Sequence, residues 1–176
     1  MAGKTPRLAL KAFTGPIQSA LSCFATGKVT IDCYDPDTEG RLVFNGGRPT
    51  KLHGPEKVRI TCAMQYEIVM TDGAKPWKVH TTNYIYRLLD RNENPIVDYH
   101  WHPASTPDVP FPHLHARQYG CKRHYVTGRV LIEDVLVLGI ECGAAPNNPG
   151  KWNRILNGNR KNFALGATWG TSHPGK

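Results

Sequence analysis

Four histidines fall within 16 residues of one another, as His100-Trp101-His102 and His113-Leu114-His115, and a fifth, His124, follows shortly after. In an extended strand, residues i and i+2 project from the same face. Each pair therefore presents two imidazoles side by side wherever its segment is extended. The intervening Pro103–Pro112 stretch contains four prolines and must be a loop. Its length lets the chain return antiparallel, so that His100, His102, His113 and His115 converge.

Clustered imidazoles suit three roles. They can ligate a divalent transition metal such as zinc, iron or nickel, with Asp98 or Asp108 as a carboxylate ligand. They can act without metal, because histidine titrates near neutrality: one imidazole takes a proton from a ribose 2′-hydroxyl while another protonates the leaving 5′-oxygen. The plain structural alternative is a set of buried histidines hydrogen-bonded across a sheet, with Trp101 and Leu114 packed on the other face. The neighbouring residues favour phosphoryl chemistry. Arg117, Lys122, Arg123, His124 and Arg129 follow within 14 residues of His115, and cations stabilise the negative charge that grows on phosphoryl oxygens. Thr127-Gly128-Arg129, ahead of a predicted helix, offers backbone N–H groups for an anion. Read plainly, Thr127 is only a helix cap. Cys121 beside His124 allows a Cys–His nucleophile pair in principle, but no flanking signature supports it. Tyr99 is suited to stacking a base, whereas Tyr84, Tyr86, Trp77, Trp101, Trp152 and Trp169 read as packing residues.

The elements that must hold these residues are strands. Val58–Met70 is rich in β-branched residues and stops at Thr71-Asp72-Gly73. Trp77–Leu89 sets Tyr84, Tyr86 and Leu88 on one face against Ile85, Arg87 and Leu89 on the other. Arg91–Asn94 supplies a turn and Pro95–His102 a returning strand, with His113–Gln118 a short further one. Upstream, Val29–Tyr34 and Arg41–Phe44 read as a hairpin, with residues 46–56 a loop and Ile17–Phe24 a short helix in otherwise irregular chain. Downstream, Val130–Cys142 reads as a buried helix whose Glu133 and Asp134 suit an N-terminal turn. A second helix runs from Asn148 or Pro149 through Leu156, and the tail from Gly166 frays. Strands first and helices last predict an α+β fold: an antiparallel sheet with one buried helix, about 130–142, on one face and a short C-terminal helix. The length fits a single domain, 1–176, with 58–165 as its core and 1–57 carrying the weaker signal.

The net charge is +8, from 22 basic and 14 acidic residues. Residues 115–130 and 151–176 contain basic groups and no acid at all, whereas 61–114 are slightly acidic. Acid-free basic blocks beside the histidines suit a polyanion such as RNA. No apolar run is long enough to span a membrane as a helix. Met1–Phe13 lacks the continuous apolar stretch of a secretory leader. The five cysteines form no C-x-x-C pair, which speaks against a disulfide framework or a four-cysteine zinc site and for reduced thiols in the cytoplasm.

From about Tyr84 onward, the chain resembles uncharacterised small bacterial proteins and, less closely, the TumE family of toxin–antitoxin toxins. The residues carrying this are Tyr84-x-Tyr86-x-Leu88, the Asn92 turn, Tyr99-His-Trp-His-Pro103 and Phe111-Pro-His-Leu-His115. The family's histidine cluster has two residues between histidines where this chain has one. The resemblance implies a toxin-like protein encoded beside an antitoxin and acting on RNA. Together with the residue reading, it gives the expectation of a metal-independent endoribonuclease that needs no cofactor. In this expectation His113 and His115 are the acid–base pair, and His100 or His102 supports them. Arg117, Lys122, Arg123, His124 and Arg129 bind nucleic acid. The competing expectations are a metalloprotein built on the same four histidines and a non-catalytic nucleic-acid-binding component of a defence or toxin–antitoxin system.

Overall fold

The computed structural model describes residues 2–103, 109–116 and 123–166. In chain order the elements are β1 (Ala2–Gly3), α1 (Pro6–Ser22), β2 (Val29–Ile31), β3 (Gly40–Phe44), β4 (Thr50–Lys51), β5 (Arg59–Met70), β6 (Trp77–Leu89), β7 (Pro95–Trp101), β8 (His113–His115), β9 (Tyr125–Val126), α2 (Ile132–Glu141) and α3 (Trp152–Gly166). The strands form one antiparallel sheet in the order β2-β3-β5-β6-β7-β8-β9, with β4 joining β5 and β1 joining β6. The protein is α+β, as the run of strands followed by helices implies.

The alternation expected along β6 holds from Tyr84 to Leu88, where the even positions are buried. Opposite the step from Gln65 to Tyr66 the register shifts by one residue at Thr82. The core-facing parity then changes, and Thr81 becomes the buried position. Such a bulge turns the earlier half of the strand to keep its apolar side inward. On the core side, Ile60, Cys62, Met64, Tyr66 and Ile68 of β5 meet Tyr84, Tyr86 and Leu88 of β6, and the Tyr84 and Tyr86 rings stack 4.6 Å apart.

The helices cover this face. The predicted buried helix is present as α2, whose Ile132, Val135 and Leu136 enter the core. It is not alone there: α1 packs on β5 and β6 and against both other helices. Where the sequence suggests a short helix over Ile17–Phe24 in otherwise irregular chain, the helix starts earlier, at Pro6, and runs 17 residues to Ser22, with Leu10, Phe13, Ile17, Ala20 and Leu21 buried on one stripe. Two signals mark its start: Thr5 Oγ1 accepts from the Leu8 amide at 3.2 Å, and Pro6 occupies the first turn. Gly15-Pro16 looks like a break in sequence, but the helix continues through Pro16, whose carbonyl accepts from Asn159 Nδ2 of α3 at 2.8 Å. The C-terminal helix is also longer than expected, running from Trp152 to Gly166.

One local feature sets the strand that carries the first histidine pair. At the β6–β7 turn, the Asp90 carboxylate accepts from the backbone amides of Asn92 and Asn94 and from the Asn94 side chain. These hydrogen bonds favour its ionised form and lower its pKa. The turn fixes the pairing that follows, Tyr86 with Tyr99, Ile85 with His100 and Tyr84 with Trp101. Residues opposed in register share a face, so Tyr99 and Trp101 point to the helices. Asp98 and His100 point to the opposite side of the sheet. Among the described residues no helix is long and apolar enough to cross a membrane. The free cysteines among them are Cys23, Cys33, Cys62 and Cys142, while Cys121 lies outside the described residues.

Candidate metal centre

Across β7 and β8, Asp98 pairs with His115, Tyr99 with Leu114 and His100 with His113. Across β8 and β9, His113 pairs with Val126 and Leu114 with Tyr125. One further antiparallel step sets His124 opposite His115, and their ring centroids lie 4.5 Å apart. The period of two along a strand thus brings all five imidazoles to the sheet face away from the helices. The four histidines grouped from sequence do converge. His124, expected among the phosphate binders, joins them as a fifth member.

The rings form a continuous array. His100 is 5.8 Å from His102, 5.6 Å from His113 and 4.8 Å from His115, centroid to centroid. His113 is 5.3 Å from His102, 5.2 Å from His115 and 4.6 Å from His124. Two triads have ligand nitrogens all within 4.8 Å of one another: His100, His102 and His113, and His113, His115 and His124. His100 and His115 are each 8% exposed and His113 only 1%, whereas His102 is partly exposed and His124 exposed.

Electrostatics keep the inner imidazoles neutral. Burial, reinforced by His115, His113, Arg87 and His102, pushes His100 down to about 3. Burial also lowers His113, with help from His124 and His102 and against its hydrogen bond to Phe111. His113 Nδ1 lies 3.0 Å from the Phe111 carbonyl oxygen. A carbonyl only accepts, so Nδ1 carries the proton and the lone pair is on Nε2. The Nε2 atoms of both His100 and His113 are buried without a hydrogen-bond partner. Among the described residues, the buried carboxyl group of Asp98, 2% exposed, lies beside the array, its Oδ2 3.8 Å from His100 Nε2 and 3.6 Å from Arg87 Nε.

The cationic residues distribute differently from the sequence expectation. Arg129 is not gathered with the histidines. Its guanidinium lies over the Trp101 ring at 5.4 Å and the Phe163 ring at 5.1 Å, on the helix side of the sheet. The physical reason is parity: Trp101 sits between His100 and His102 and projects the other way. Several amides between Thr127 and α2 are already committed within the fold. Thr127 N donates to the Pro112 carbonyl, Val130 N to Tyr84 Oη and Leu131 N to the Asp134 carboxylate. Arg123 is exposed beside His124. Arg117, Lys122, Asp108 and Trp169 lie outside the described residues. Arg87 is the member sequence reasoning did not single out, although its place on the face of β6 opposite Tyr84 and Tyr86 is legible from the alternation.

Comparison with protein-family models, with curated proteins and with solved structures finds no match to this chain.

Proposed function

We propose that the protein is a metalloprotein of the cytoplasm that holds a divalent transition-metal ion on its histidine face. The observation that carries this reading is the pair of buried Nε2 atoms without a hydrogen-bond partner on His100 and His113, set within the array of five imidazoles. A buried polar atom without a partner costs roughly 1–3 kcal/mol, and two such atoms side by side are what ligand nitrogens look like before an ion is bound. Protonation does not resolve the cost, since His100 stays neutral until the pH falls to about 3. The neutral form is the one that ligates. Imidazole donors favour zinc, copper, nickel or iron over magnesium and calcium. Three imidazoles leave a fourth position for water, and water on zinc ionises near neutral pH, the property hydrolytic centres use. Asp98 supplies adjacent negative charge.

The test is uptake by the untagged, EDTA-stripped chain in equilibrium dialysis against zinc or nickel. Roughly stoichiometric binding, lost in the His100→Ala/His113→Ala double variant, supports the reading; no uptake by the wild-type chain contradicts it.

A second reading is RNA cleavage of toxin type without metal, restrained in the cell by an antitoxin partner. It is favoured by the exposed Arg123–His124 pair at the rim of the array, within an acid-free basic stretch. The burial of His113 and the low pKa of His100 weigh against those two as proton donors to a substrate. Cleavage of total RNA by the purified chain in EDTA would decide for this second reading.

A further inference from the structure

We propose that the five imidazoles offer a single metal ion two alternative positions, an outer one on His113, His115 and His124 and an inner one on His100, His102 and His113. The ion is captured at the outer triad and passed inward while His113 stays bound throughout. This inference rests on the metal reading and adds to it a route and a stoichiometry.

The argument starts from His113, which belongs to both triads. Its Nδ1 proton is committed to the Phe111 carbonyl oxygen at 3.0 Å, which leaves one lone pair, on Nε2. One lone pair ligates one ion, so the two triads compete for the metal and do not fill together. They also differ in access. His124 is exposed and follows directly on the exposed Arg123, whereas His100 is 8% exposed and His102 is partly buried. An aqueous ion therefore meets His124 first. Centroid separations of 4.5 and 4.6 Å from His124 to His115 and His113 make the outer triad the tighter ring cluster before any ion is present. The inner triad gains from its surroundings. Asp98 carries a buried carboxylate beside His100, which stabilises a cation next to it. Transfer then needs only ligand exchange around a fixed imidazole: His102 and His100 replace His124 and His115. The rings span neighbouring strands, so no backbone rearrangement is required.

Cobalt(II) is the probe, because its visible absorption reports the ligand set. The full-length, EDTA-stripped chain is titrated and then mixed rapidly with cobalt. The variants are at the more accessible positions, His102 and His124, where truncation leaves the sheet intact, as circular dichroism would verify. The wild type is expected to bind one equivalent. His102→Ala should still bind one equivalent with an altered spectrum, the ion now held at the outer triad. His124→Ala should keep one equivalent and the wild-type spectrum, but load roughly tenfold more slowly. The double variant, with both triads broken, should lose roughly 100-fold or more in affinity. Two equivalents in the wild type, loss of binding in His102→Ala, or unchanged loading in His124→Ala would each overturn the two-position scheme while leaving a metal site in place. Absence of cobalt uptake by the wild type would instead sink the metal reading itself, and this scheme with it.

Discussion

His100 and His113 face each other as a register pair across β7 and β8, and the Nε2 of each is buried without a hydrogen-bond partner. Two such atoms on neighbouring strands carry a cost that, under the proposed metal reading, a shared ion would remove. Metal should therefore stabilise the fold. With free zinc at about 100 times its dissociation constant, linkage gives about 2.7 kcal/mol. In a chain of this size that corresponds to a rise in Tm of roughly 5–10 °C. Differential scanning calorimetry with zinc and with EDTA would measure it. Equal melting temperatures in the two conditions would argue against binding to the folded state.

Acid should weaken the metal-free chain. His100 titrates near 6.5 when unfolded and at about 3 when folded, so between those values the unfolded chain binds the proton and the folded one does not. Stability contributed by keeping His100 neutral is full above pH 6.5 and is lost progressively as pH falls towards 3. Each unit of the interval is worth about 1.4 kcal/mol. His113, also lowered, acts in the same direction. Urea midpoints in EDTA should fall between pH 7.5 and pH 4.5, and His100→Asn should flatten that slope. A slope unchanged by His100→Asn would place the titration elsewhere.

Arg129 belongs to the packing of the helix face. Arg129→Ala should leave zinc uptake unaltered but destabilise the fold by about 1–2 kcal/mol, through lost contacts to the Trp101 and Phe163 rings. Parallel dialysis and chemical denaturation separate the two effects. A variant of full stability with impaired uptake would contradict this assignment.

The N-terminal helix is part of the core. Leu21 is fully buried against the sheet, and Leu21→Ala should cost about 2–5 kcal/mol. Thr5→Ala, which removes the cap on the Leu8 amide, should cost about 1 kcal/mol. Denaturation that leaves these variants as stable as the wild type would mean the helix is peripheral.

How far the sequence discloses this protein differs element by element. The strands β5 to β8 and the shared face of each H-x-H pair follow from a period of two and from turn residues, signals that are local. What α1 does is not local. Its Gly15-Pro16 reads as a break because the compensating partner, Asn159, lies 143 residues away. The role of His124 is hidden for the same reason: its nearness to His115 arises from a β8–β9 pairing that no pattern in the short β9 announces. The position of Arg129 does not follow from its closeness in sequence to the histidines, since one residue of parity at Trp101 puts it across the sheet.

The most direct test of an imidazole centre is X-ray absorption at the zinc edge of the loaded, untagged chain. The expected spectrum has a shell of nitrogen at about 2.0–2.1 Å with the outer scattering of at least three imidazole rings. A shell at about 2.3 Å, the distance of zinc to cysteine sulfur, or one without imidazole scattering, would contradict the account.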